Sequence, residues 1–345
     1  MRLLLCQRMI EIDGAIGGGS VLRVGIGLSA AMGIPLKITN IRQQRTNPGL
    51  QAQHLAGLVA TAELCDAKLE GARIGSSTVE FYPGDVDKNF VRVQIDTAGS
   101  VGLALQPLQL ACLRARGSVE IEIEGGGTFG KWAPSTPFIE QVNFTLLRKS
   151  GLTAELEVLK HGFYPKGGAR ARARFDLPEL TGSRFFETRG ELRFIHGLSI
   201  ATNQLKSAGV AERQRDAVLT LLKRELRDVL IEMETQYVES FSPGSSVVLW
   251  AEFERTILGA DALGERGVLA EKVGQQAALD LLTEIHSDAT LDRYISDQIV
   301  PFLGIYGGSF RCAEITEHIK TNICVAEKIT GTQFEIAENT VGVKG

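Results

Sequence analysis

Apolar and polar positions along the chain follow two alternating rhythms, one of the period of a strand and one of the period of a helix. Strand-like stretches are predicted at Ile10–Asp13 and Leu36–Ile41, flanking a helix over Val21–Met32. A second helix over Leu50–Cys65 is followed by strands near Lys68–Leu69 and at Thr78–Tyr82. The same order begins again, with a strand at Val91–Asp96, a helix over Val101–Arg114 and a strand at Ser118–Glu124. A helix over Pro137–Ser150 and strands at Glu155–Leu159 and Ala169–Phe175 complete it. Between Leu263 and Phe334 the pattern predicts three helices and then a strand. A unit of two helices and about four strands therefore recurs, the mark of internal structural repetition.

The stretch Phe185–Ala260 breaks this rhythm. Strands at Glu191–Leu198 and Ser245–Phe253 surround a long charged helix over Ala211–Leu226. The expected architecture is α/β (α+β type): three repeats of a two-helix, four-stranded unit with an inserted smaller α/β domain. Residues 1–184 and 261–345 form the expected core, and 185–260 the insert. The 345 residues, 44% hydrophobic and 23% charged, suffice to bury a large core. A net charge of −4 argues against a non-specific coat on duplex nucleic acid, which needs a basic surface. The five cysteines are an odd number with no C-x-x-C spacing, which fits free thiols and a cytoplasmic protein. Met1–Cys6 is too short an apolar run for a leader, and no run of membrane length occurs.

The candidate chemistry gathers near the C-terminus. If Leu291–Pro301 is helical, Tyr294, Asp297 and Gln298 share one face, while Ile295, Ile299 and Phe302 take a buried one. An aromatic ring, a carboxylate and an amide at one spot can stack on a nucleobase and bond its edge. In Glu314–Asn322, Thr316 can cap a helix whose apolar stripe is Ile315, Ile319 and Ile323. That places His318 in the first turn, where the dipole attracts phosphate and keeps imidazole neutral, the state of a nucleophile. Near the N-terminus, Arg42 and Arg45 flank a Pro48-Gly49 turn ahead of Gln53 and His54, a plausible phosphate clamp. Asp13–Arg23 is a strand, a glycine loop and a helix, without the Lys of a P-loop.

Ordered along the chain, these segments resemble the RNA 3′-terminal phosphate cyclases, in particular their archaeal-looking branch. The resemblance runs from about Ile10 to Phe334. It rests on the Asp13-Gly-Ala glycine loop, Arg42…Arg45…Gln53-His54, Thr97–Ser100, Gly126…Pro134, Gly162–Gly168, Ser207–Arg213, Gly259–Gly267, Tyr294…Asp297-Gln298 and His318…Asn322. It implies a ligase-class enzyme that uses ATP to turn an RNA 3′-phosphate into a 2′,3′-cyclic phosphodiester, through a histidinyl-AMP and an RNA-adenylate. The nucleophile falls on His318. Adenylate-binding positions fall on Gln106, Pro134, Tyr294, Asp297 and Gln298, and RNA-phosphate contacts on Arg23, Arg42, Arg45, Gln53 and His54. ATP and a divalent metal, magnesium or manganese, are the implied cofactors, and RNA 3′-phosphate ends the implied partner. The glycine loop departs from the family pattern Gly-Glu-Gly-Gly-Gly-Gln. Here Ala15–Ser20 lacks the metal-site Glu and carries Ser20 in place of Gln. Asp13 is the nearest remaining carboxylate. The alternative is a cyclase-like protein without adenylation chemistry, binding RNA in ribosomal RNA processing. An enolpyruvyl transferase built from the same repeat leaves Tyr294…His318 unexplained.

Overall fold

A computed structural model describes residues 8–131, 133–176 and 186–344. The apolar run at the N-terminus, Trp132 and the expected boundary at 184/185 lie outside the described residues. The first repeat runs β1 (Ile10–Asp13), α1 (Gly19–Met32), β2 (Leu36–Thr39), α2 (Ala52–Leu64), β3 (Lys68–Glu70) and β4 (Val79–Tyr82). Its sheet has the order β1-β2-β4-β3, with β1 and β2 parallel and the other pairs antiparallel. The second repeat has β5 (Phe90–Ser100), α3 (Val101–Ala111) and β6 (Val119–Gly127). It continues through α4 (Thr136–Phe138), a π-helical turn (Ile139–Phe144) and α5 (Thr145–Lys149) to β7 (Ala154–Lys160) and β8 (Arg170–Phe175). The sheet order β5-β6-β8-β7 repeats the first topology. The single helix expected over 137–150 is thus three helical pieces in series.

A unit of different topology comes next. It contains β9 (Leu192–Thr202), α6 (Val210–Glu225), β10 (Leu230–Val238), β11 (Ser245–Phe253) and β12 (Ile257–Leu263), followed by α7 (Ala270–His286). The sheet order is β10-β9-β11-β12. Val218 and Leu222 of α6 and Val273, Ala277 and Leu281 of α7 share a core with Ile195, Leu249 and Leu258 of this sheet. The expected boundary at 260 falls inside β12, and α7 packs on the same sheet. β10 and β12 were not anticipated. β10 is an edge strand whose charged Glu232 and Glu234 dilute its apolar alternation.

The third repeat closes the chain with α8 (Ile295–Tyr306), β13 (Ser309–Arg311), α9 (Glu317–Thr330), β14 (Phe334–Ala337) and β15 (Thr340–Val343). The order β13-β15-β14 matches β2-β4-β3 of the first repeat. In the place of a first strand, Thr290 and Leu291 both donate N–H to the Arg311 carbonyl. The helices of the repeats pack together, with α1 at the centre against α3 and α9. α1 is buried nearly all round, which its uniformly apolar sequence requires. At Gly27 a β-carbon would lie 2.8 Å from Leu110 Cβ and 2.9 Å from the Pro107 carbonyl, so only glycine lets α1 and α3 approach this closely. Among the described residues no helix is long and apolar enough to cross a membrane.

Candidate active site

Four helix starts carry the polar residues of interest, and two of them, those of α1 and α2, are left open. No side chain caps α1 or α2. Their first N–H groups therefore remain available to an anion. Arg23 sits in the second turn of α1 and donates from Nε to Gln106 Oε1 on α3 at 2.6 Å. A β-carbon on Gly19 would lie 2.6 Å from Arg23 Nη1 and closer still to His54 Nε2, and one on Gly18 would lie 2.9 Å from Arg45 Nη2. The glycine loop is thus a floor on which Arg23, Arg45 and His54 rest. Arg42 Nη1 donates to the Asn47 and Gly49 carbonyls at 2.6 and 3.1 Å, so it also holds the loop that presents Arg45. Gln53 accepts the Ser100 N–H at 2.9 Å, tying α2 to the second repeat. Gln106, expected at the nucleotide on resemblance, is bonded to Arg23, expected at the RNA phosphate.

These cations perturb one another. His54 is 5% exposed, and burial, then Arg23 and Arg42, hold its pKa down to about 3. It is a neutral imidazole at any working pH. Burial lowers Arg23 to about 10, with Asp297 pulling it up and Arg42 down, so it stays charged.

The other two helix starts are capped. Asp292, fully buried, accepts the Tyr294 and Ile295 N–H groups on one oxygen, both at 2.9 Å, and the Gly259 N–H on the other at 2.8 Å. This fixes the start of α8, and Ile295, Ile299 and Phe302 anchor its inner face as expected. Each such side chain contributes about 2 kcal/mol of burial. Tyr294, which precedes the helix, is 40% exposed and meets the Phe138 ring edge-on at 6.1 Å. Phe138 follows Pro134 in the segment that Ser135 caps by accepting the Phe138 N–H. One turn on, Gln298 accepts from Asn143 at 2.9 Å and donates to the Tyr294 carbonyl at 3.1 Å. Burial raises the Asp297 carboxyl to about 7, with Arg23 opposing. Its backbone carbonyl accepts from Asn322 of α9 at 2.7 Å, which fastens α8 to α9.

Thr316 caps α9, as predicted, by accepting the Ile319 N–H at 3.2 Å. His318 lies exposed in the first turn. The surrounding protein first, then Arg23 and Arg45, hold its pKa below the ordinary value. One turn later Thr321 donates to the Ile16 carbonyl at 3.3 Å and so pins the glycine loop to α9. The His318 imidazole, the guanidiniums of Arg23 and Arg45, and the ring, carboxyl and amide of Tyr294, Asp297 and Gln298 are therefore carried by α1, α8, α9 and their flanking loops, where the first and third repeats join. That arrangement can hold a nucleotide by its base and its phosphates with an imidazole beside the phosphorus. Sequence reasoning did not find Asn143, whose partner is 155 residues away. It also passed over Asp292, although an acidic residue just before an apolar helix is a start signal.

Among the described residues no group of three or more His, Cys, Asp or Glu could hold a metal ion. Asp13 is already bonded to the Ala15 N–H and to Asn40, at 2.9 and 3.0 Å. The donors among the described residues therefore do not fit a resident metal.

A family model described as RNA 3′-terminal phosphate cyclase matches residues 15–336. A protein of Pyrococcus furiosus named RNA 3′-terminal phosphate cyclase is 43% identical over 343 residues, covering 98% of this chain and 97% of its own. Proteins of the same name from Thermococcus onnurineus and Methanopyrus kandleri are 43% and 42% identical, covering 98% and 95% of this chain and the same shares of their own. By its repeats, its site and these relatives, the chain belongs to the RNA 3′-terminal phosphate cyclase family.

Proposed function

We propose that this protein uses ATP to convert an RNA 3′-phosphate into a 2′,3′-cyclic phosphodiester. The observation that carries this reading is the place of His318, in the first turn of α9 that Thr316 caps, with its pKa lowered by the surrounding protein first and then by Arg23 and Arg45. Tyr294 and the edge groups of Asp297 and Gln298 would hold the adenine. The imidazole of His318 attacks the α-phosphorus of ATP, and pyrophosphate leaves with the electrons of the broken P–O bond. Arg23, Arg45 and the open start of α1 hold the negative charge that develops. An oxygen of the RNA 3′-phosphate, held by the same cations, then displaces the imidazole and takes the adenylate. Finally the 2′-hydroxyl attacks the RNA phosphorus and AMP departs, while the hydroxyl proton passes to solvent. Magnesium or manganese would arrive on the ATP phosphates. Such an ion keeps most of its water and needs few protein ligands. Cys65, Cys112, Cys312 and Cys324 are free thiols, which supports a reducing, cytoplasmic setting.

The test is incubation with α-labelled ATP and either metal, without RNA, followed by a denaturing gel beside His318→Ala. Acid-labile label on the wild-type protein, absent from the variant, is expected. Folded wild-type protein that takes no label with either metal would overturn the reading.

A further inference from the structure

A second aromatic and cationic surface lies next to the phosphate clamp. Tyr164, at the tip of the 161–168 turn, is 79% exposed. Phe241, in the link between β10 and β11, is 58% exposed, with Lys160 Nζ 3.7 Å from its ring centroid. The two segments form one rim. The Lys166 N–H donates to Ser242 Oγ at 3.2 Å, and a β-carbon on Gly168 would lie 2.6 Å from the Phe241 ring. Lys166 is exposed on the same turn. Large rings left this open do nothing for the core. Phe129 and Phe163, stacked at 4.8 Å beneath, are buried and do that work.

This rim is continuous with the clamp. Gly167 packs on the Ala98 backbone, where a β-carbon would lie 3.0 Å from Ala98 Cα. The neighbouring Gly99 packs on Gln53, at 2.9 Å from its Cβ by the same measure. Gln53 precedes His54, which rests on the glycine floor beside Arg23. A path of adjoining backbone thus runs from the open start of α1, past the start of α2, to Tyr164 and Phe241.

We propose that this rim is the track for the single-stranded RNA that leads to the reacting end, with bases stacking on Tyr164 and Phe241 and backbone phosphates passing Lys160 and Lys166. Aromatic rings interleaved with lysines suit a single strand, because every base offers a face to stack and every link a charge. The proposal rests on the RNA substrate of the preceding section. It adds a binding surface for nucleotides upstream of the terminal phosphate, chosen by stacking rather than by base edges.

The experiment compares cyclisation of a 3′-phosphorylated dinucleotide with that of a 3′-phosphorylated ten-nucleotide RNA. It uses the full-length wild-type protein, Tyr164→Ala, Phe241→Ala and the double variant. Labelling of His318 by ATP without RNA reports whether each variant is folded. KM for the longer RNA should rise roughly 5- to 150-fold per ring removed, the range for base–aromatic stacking, with KM for the dinucleotide changed far less. As a second measurement, 4-thiouridine placed upstream in the longer RNA should crosslink wild-type protein at 160–168 or 241. Equal losses on both substrates would mean that the turn only positions the centre, and unchanged KM with crosslinks elsewhere would mean that the rim serves another partner such as a protein. Either result overturns the track. Wild-type protein that labels His318 but cyclises neither RNA would instead bring down the RNA reading and the track with it.

Discussion

Gly19→Ala isolates what the glycine floor does. Gly19 is the first residue of α1, and local preference alone favours alanine in a helix by about 0.5–1 kcal/mol. The tertiary structure opposes it. The new β-carbon would lie 2.6 Å from Arg23 Nη1 and 3.0 Å from His54 Cε1, where ordinary contact begins at 3.4 Å. His54 is buried and Arg23 is tied to Gln106, so neither can swing freely away. Relief requires a shift of about 1 Å in the clamp, and a misplacement of that size costs on the order of 100-fold in rate. Overpacking costs about 1–3 kcal/mol, which outweighs the helix preference and lowers the melting temperature by a few degrees. The assay is single-turnover closure of an RNA 3′-phosphate, with calorimetry on the same samples. Cyclisation within twofold of wild type at an unchanged melting temperature would show that Arg23 and His54 do not work as a packed unit on this floor.

Other outcomes follow from the same geometry. Asp292→Ala leaves three N–H donors, two of them buried, without their acceptor; denaturant titration should show a loss of about 2–4 kcal/mol, and KM for ATP should rise because Tyr294 is no longer held. His54, with its pKa held to about 3, stays neutral in the fold while the unfolded chain takes up a proton below about 6.5. Its contribution therefore falls as pH drops from about 6.5 towards 3, by up to about 1.4 kcal/mol per pH unit. The stability gap between wild type and His54→Gln, followed by denaturant titration, should shift in favour of the variant over that window, and a pH-independent gap would mean that the imidazole is not held neutral.

Much of the scaffold was legible because its signals are local. Strand and helix periods emerge from residues a few positions apart, and so does the Thr316 cap that puts His318 in a first turn. The α8 pattern was read correctly for its buried face, although the helix begins after Tyr294, at Ile295, because Asp292 bonds the N–H groups there. Weak local signals were missed: β10 and β13 are an edge strand and a three-residue strand, too diluted or too short for their alternation to stand out. The helix over 137–150 concealed a π-helical turn that only its packing and hydrogen bonds define.

By itself the sequence determined the repeated α/β units, the place of His318 at a capped helix start and, through its ordered motifs, the family. Only the tertiary structure decided which of these groups meet. Gln106 pairs with Arg23 across 83 positions, Gln298 with Asn143 across 155, and Thr321 with the glycine loop across 305. Such pairings depend on how whole helices are set against one another. Local propensity extends over a turn or two, whereas the register between repeats comes from close packing at points such as Gly27 and Gly19, which no local pattern encodes.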